Sequence, residues 1–152
     1  MVNTLPLTLS ARILDPSPPI ELLKAADAIK YRNLILCVFG LDRAQFSPNA
    51  SLYFPDAELP FTRIYEPKNR SSFMAPEGQT AIVIECPCFD LDEMWSMSSE
   101  AVRSTVWKAL QGVQLLKESE VVCFQMFRLP FAYPVLEVGF SEHVDQLVDY
   151  FQ

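Results

Sequence analysis

The chain has 152 residues, half of them apolar, and a formal net charge of −7, so it can bury one sizeable core and its length gives no reason to divide it. Its basic residues are scattered, among them Arg12, Lys24, Lys30, Arg32, Arg43, Arg63, Lys68 and Arg70, so no stripe exists to neutralise a phosphate backbone and nucleic acid is not an expected partner. The longest apolar run, Leu34 to Gly40, falls far short of the roughly 20 residues of a membrane span, and no charged-then-apolar signal opens the chain, which points to a cytoplasmic domain.

Val2-Asn3-Thr4-Leu5-Pro6-Leu7 reads as a strand entering a turn, with only Met1 ahead of it, as if cut from something longer. Asp15-Pro16-Ser17-Pro18-Pro19 is a breaker. Behind it Ile20, Leu23, Ala26 and Ile29 predict an amphipathic helix of about three turns that ends at Arg32 or Asn33. Leu34 to Phe39 is continuously apolar, as suits a central strand buried on both faces. After the polar loop Asp42 to Asn49, two short strands are predicted at Ser51 to Phe54 and Phe61 to Tyr65, bounded by Pro55 and Pro60. Pro76-Glu77-Gly78-Gln79 is a turn, and the β-branched run Thr80 to Cys86 is a strand.

From Ser98 or Ser99 the period changes. Val102, Val106, Ala109, Leu110, Val113 and Leu116 predict the longest helix, behind a capping serine. Val121 to Phe127 is a further strand with Arg128 at its end, and Ser141 caps a last helix carrying Val144, Leu147, Val148 and Phe151. Strands clustered in mid-chain predict an α+β fold: a mixed, mostly antiparallel sheet of about five strands with helices packed on one face, in a single domain over 1–152. The crossover through the long helix leaves room for one parallel pair. Leu36, Val38, Ile82, Ile84, Val106, Leu110, Val122 and Phe124 are the predicted core.

No catalytic constellation assembles. The sole histidine, His143, lies among acids at a helix start, where it is expected to be solvated and has no nucleophile to serve. Cys37, Cys86, Cys88 and Cys123 lie in or beside apolar runs and are expected to be small buried thiols. Cys86 and Cys88 share a strand face, but zinc would need a second close-spaced pair or supporting histidines. Asp90, Asp92 and Glu93 stand where carboxylates complement a helix dipole. Four glycines, Gly40, Gly78, Gly112 and Gly139, form no phosphate-cradling motif, so a nucleotide cofactor would have its phosphate loop elsewhere.

In Phe61-Thr62-Arg63-Ile64-Tyr65-Glu66, alternation puts Phe61, Arg63 and Tyr65 on one face and Thr62, Ile64 and Glu66 on the other. An arginine flanked by aromatics suits an anion; the plainer reading is a half-exposed strand arginine paired with an acid. Arg128 poses the same alternative, a ligand contact in a cleft or a cap on the sheet edge. Tyr53, Phe54, Phe61, Tyr65 and Phe73 either line an apolar ligand cavity or pack the core.

The succession Asn3-Thr4-Leu5-Pro6, Tyr31-Arg32-Asn33-Leu34, Tyr53-Phe54-Pro55-Asp56, Pro60-Phe61-Thr62-Arg63-Ile64-Tyr65-Glu66-Pro67-Lys68-Asn69, Met74-Ala75-Pro76-Glu77-Gly78-Gln79-Thr80 and Arg128-Leu129-Pro130-Phe131-Ala132-Tyr133-Pro134 covers most of the chain. It resembles the substrate-binding cap of FAD-dependent amine-oxidase and protoporphyrinogen-oxidase-like proteins, and the corresponding region of UDP-galactopyranose mutases. The resemblance implies a division of labour. FAD is held by the FAD-binding domain of a longer parent chain and none is bound by this segment, which covers the flavin, orients a small-molecule substrate and is inactive alone. By similarity to the mutase motif, Arg63 and Arg128 contact an anionic substrate group, and Tyr53 and Tyr65 complete the candidate substrate-binding set. The other reading is a freestanding acidic α+β protein-interaction module.

Overall fold

Ile35, Cys37, Phe39 and Leu41 occupy every second position of one strand and all are fully buried, the period-2 pattern of a strand with one face on a core. In the computed structural model, which describes residues 3–113 and 116–151, that strand is β1 (Tyr31–Leu41). It is joined by β2 (Ser51–Tyr53), β3 (Arg63–Tyr65), β4 (Thr80–Cys88) and β5 (Val121–Pro134) in one antiparallel sheet ordered β2-β3-β4-β1-β5. The fold is α+β, with β4 at the middle of the sheet, β1 between it and the edge strand β5, and no parallel pair among the described residues.

Register aligns the buried sides. Phe39 stands opposite Ile82, Cys37 opposite Ile84 and Ile35 opposite Cys86, while Ile64 of β3 stands opposite Ile84. Onto this face pack Val102, Val106 and Leu110 of α4 (Ser99–Gly112), all fully buried. Ser98 starts α4 as expected: its hydroxyl accepts the Ala101 N–H at 3.2 Å. Phe39 meets Phe124 at 4.9 Å and Trp107 at 5.9 Å between ring centroids, closing the core beneath β5.

Several elements differ from the sequence reading. The opening is no strand: Leu7–Arg12 is helix α1, while Met1 and Val2 lie outside the described residues. Pro6 suits a helix start because its missing N–H would have no helical partner there. Asn3 secures the approach, its Oδ1 accepting the Leu5 N–H and its Nδ2 donating to the Ser10 hydroxyl at 2.7 Å. Helix α2 (Ile20–Ala28) ends before Arg32, because Tyr31 to Asn33 are already in β1.

Leu36 and Val38 are only half-buried, since β1 turns one face, and not both, to the core. Val122 is more than half exposed, on β5 at the edge of the sheet. The edge also lets β5 run through Pro130, which has no N–H to give to a further strand. Asp92 precedes a single helical turn, α3 (Glu93–Ser96), and its carboxylate accepts the Phe89 N–H at 2.7 Å; Asp90 accepts from Asn33 at 2.6 Å. Leu116 is buried but lies beyond the end of α4.

The chain forms two compact units, 33–130 and the pair of segments 1–32 and 131–152. The first holds the core just described. In the second, α1, α2 and α5 (Phe140–Phe151) pack around Ala11, Leu22, Ala26, Ile29 and Leu147. Tyr31 and Phe131 meet edge to face at 5.4 Å there, and Lys30 pairs with Glu137 at 2.9 Å.

Candidate functional site

The alternation that sends one side of the sheet into the core leaves the other side to different residues. Leu36 and Val38 stand opposite Glu85 and Val83, Arg63 and Tyr65 opposite the same two residues from β3, and Tyr53 opposite Arg63. Cys123 joins this outer face from β5. A methyl group added at Gly40 would sit 2.5 Å from its Sγ, so a glycine lets the edge strand approach there.

On the outer face three of the four candidate residues come together. The Arg63 guanidinium lies 6.0 Å from the Tyr53 ring centroid and 5.2 Å from that of Tyr65, within the range of cation–π attraction. Its Nη2 also donates to Glu85 Oε1. Arg63 is therefore a strand arginine paired with an acid and flanked by aromatics at once. Tyr53 is 70% exposed and supplies the accessible wall of the group.

Arg128 lies apart from them. Its neighbours Phe124 and Met126 pack on the core side, and its guanidinium turns the same way, donating to Trp95 O at 2.9 Å and to Met97 O and lying 5.9 Å from the Trp95 ring. A guanidinium on the last carbonyls of α3 closes a helix end.

Alternation also misplaces Phe61. Because β3 begins only at Arg63, Phe61 is free of the strand's pleat and turns fully into the core against Phe54, at 5.1 Å edge to face. Phe73 is almost fully exposed in the 3₁₀ turn Ser72–Met74. The five aromatics thus divide between core, outer face and a 3₁₀ turn.

Sequence reasoning passed over Glu66, which is 2% exposed. Its carboxylate accepts the Phe46 and Ser47 N–H groups at 3.0 and 2.9 Å and the Thr80 hydroxyl at 2.7 Å. A buried carboxylate satisfied in this way fixes the polar loop 42–49 to the start of β4. The available signal was its place on the same strand face as Ile64.

Cys37, Cys86 and Cys88 are buried as expected, but Cys123 is exposed, because it stands on the outer face of an edge strand. A side-chain hydrogen bond with Cys37, followed by burial, pushes the Cys86 thiol well up from its ordinary value. Among the described residues no group of histidines, cysteines and acids is placed to hold a metal ion, and no helix is long and apolar enough to cross a membrane. His143 is half-buried. Its Nδ1 is enclosed without a hydrogen-bond partner among the described residues, beside Lys30 and Glu137 in a hollow of about 280 Å³.

No protein-family model matches the chain, and no curated protein does. Solved structures match it in fold. A reduced UDP-galactopyranose mutase superposes with a TM-score of 0.67 at 19% identity, over 82% of this chain and 26% of that one. A protein described as a protoporphyrinogen oxidase from Exiguobacterium sp. 255-15 gives 0.70 at 15% identity, over 96% of this chain and 32% of that one. A putrescine oxidase bound to putrescine gives 0.57 at 16% identity, over 80% and 26%. These are FAD-dependent, amine-oxidase-like proteins. The chain has the fold of a segment of such flavoenzymes. It spans about a third of their length or less.

Proposed function

We propose that the chain is the substrate-side segment of an FAD-dependent oxidoreductase, a single cap domain over 1–152 that covers the flavin, orients a small-molecule substrate and is inactive alone. The observation that carries this reading is the outer sheet face. One side of the sheet is closed by α4, whereas the other presents Arg63 between Tyr53 and Tyr65, with Tyr53 largely accessible. A rigid sheet bearing a few placed polar groups on an apolar ground is what a substrate wall requires.

Arg63, Tyr65 and Tyr53 are the substrate-facing residues in this reading. Arg128 belongs to the same motif-based set, and its engagement with the Trp95 and Met97 carbonyls at the end of α3 favours a supporting role for it.

The described glycines do not fit a flavin pyrophosphate. Gly40 lies near the end of β1 against Cys123, Gly112 ends α4, and Gly78 and Gly139 are isolated left-handed positions with φ of 76° and 88°. A cradle needs successive N–H groups at a helix N-terminus, so the flavin is assigned to the FAD-binding domain of the same parent chain. The free cysteines accord with a reducing, cytoplasmic setting.

The test is to titrate the purified chain with FAD and to express the full-length gene product alongside it. The chain alone is expected to bind FAD no more tightly than about millimolar, and the full-length product to be yellow. Stoichiometric micromolar binding by the chain alone contradicts the division of labour. A colourless full-length product favours the interaction module instead.

A further inference from the structure

Tyr65 carries a second guanidinium. Arg70 lies 5.4 Å from the Tyr65 ring centroid, nearly as close as Arg63 at 5.2 Å, so two cations share one aromatic ring. Glu85 compensates Arg63, whereas Arg70 is exposed and makes no ion pair among the described residues. Like charges held around one ring in a chain of net charge −7 call for an arrangement that keeps them there.

That arrangement is visible. Glu66 is pinned by Phe46, Ser47 and Thr80, and the 3₁₀ turn Pro67–Asn69 follows it directly. Arg70 closes the turn, its N–H donating to Pro67 O at 2.9 Å. Lys68 ties the far side of the same loop to Pro76 O and Gln79 O at 3.1 and 2.5 Å. The backbone that presents Arg70 is thus anchored on both sides, which lowers the entropy lost when its side chain is engaged.

We propose that Arg70 is a specificity-determining residue of the outer face, binding a phosphate or carboxylate group of the substrate beside Tyr65. Arg63, neutralised by Glu85, forms the fixed platform, and Arg70 supplies the net charge. An anion bound there gains charge-assisted hydrogen bonds that a neutral group does not. That the anion belongs to the substrate rests on the flavoenzyme reading; the existence of the anion site does not.

The test uses the chain itself, titrated with inorganic pyrophosphate and separately with succinate while backbone amide signals are followed by NMR. At least one of the two is expected to shift the signals of Tyr65 and Arg70 saturably, and which one does so names the anion. Arg70→Gln should weaken that binding roughly tenfold or more, and Glu85→Gln should tighten it. Arg103→Gln, on α4 and paired with Glu100 at 3.5 Å, should leave it unchanged. Near-UV circular dichroism checks folding; if Glu85→Gln fails to fold, the exposed Arg70 position still decides. No shift with either anion, or an unchanged affinity in Arg70→Gln, overturns the proposal. No flavin enters these titrations, so their failure leaves the flavoenzyme reading to its own test.

Discussion

Arg63 stands directly opposite Glu85 across the β3–β4 pair, and its Nη2 donates to Glu85 Oε1. The acid side chain is 8% exposed and the arginine 25%, so neither is bathed in water and neither is wholly sealed from it. Truncating Glu85 leaves a guanidinium facing a largely buried strand. Glu85→Ala is expected to cost about 1–3 kcal/mol, less than for a fully enclosed pair because Arg63 retains some solvent. Arg63→Lys keeps the charge and loses the planar fork. It should change stability by less than about 1 kcal/mol while weakening substrate affinity in the full-length protein. Urea denaturation and a substrate titration read the two effects separately. Lower stability with unchanged affinity would make Arg63 a structural residue only.

Leu110 and Val122 test the core against the sheet edge. Leu110 is fully buried against the sheet and Val122 is more than half exposed. Leu110→Ala should cost about 2–5 kcal/mol, and Val122→Ala should stay within about 0.5 kcal/mol. Equal denaturation midpoints for the two variants would mean that β5 or α4 is wrongly placed.

Glu66→Gln removes the charge and turns one acceptor into a donor facing the Phe46 and Ser47 N–H groups. The expected loss is about 1–3 kcal/mol. Hydrogen exchange should quicken at Phe46 and Ser47 well before it does in β1. Unchanged protection at both amides would show that the carboxylate does not hold the loop.

Cysteine chemistry gives a pH-dependent test. Only Cys123 is exposed, so a thiol reagent should modify one group rapidly in the native chain and the other three only on unfolding. The Cys86 thiol is raised in the folded state by Cys37 and by burial. Folded and unfolded chains both hold its proton below the ordinary thiol value. Above about 8.5 the unfolded chain releases it while the folded chain keeps it, so stability falls by up to about 1.4 kcal/mol per pH unit from this group. Urea midpoints measured from neutral to alkaline pH should decline, and Cys86→Ala should flatten part of the decline. A midpoint that rises with pH in this window contradicts the assignment.

Period and composition made the strands β1 and β4 and the helix α4 legible, because their burial follows directly from the spacing of Ile35, Cys37 and Phe39 or of Val102, Val106 and Leu110. Helix α1 was not legible, since its start depends on Pro6 and on Asn3 bridging Leu5 and Ser10. The exposure of Val122 depends on which strand forms the sheet edge, a tertiary fact that no local run of apolar residues contains. In the site, the strand face shared by Arg63 and Tyr65 followed from alternation. The Glu85 and Arg70 partners did not, because Glu85 comes from a distant strand brought alongside by sheet register, and Arg70, five residues after Tyr65, is turned back over its ring by the 3₁₀ turn Pro67–Asn69.

In the proposed arrangement the outer sheet face, and not the face covered by α4, looks toward the flavin. Cys123 offers a labelling site on that face, and Lys108→Cys in a Cys123→Ser background places the same label on the exposed side of α4. Pulsed electron paramagnetic resonance between the nitroxide and the flavin semiquinone of the full-length protein then compares the two distances. The Cys123 label is expected to lie clearly nearer the flavin than the Lys108 label. A nearer Lys108 label, or a full-length product without flavin, would contradict it.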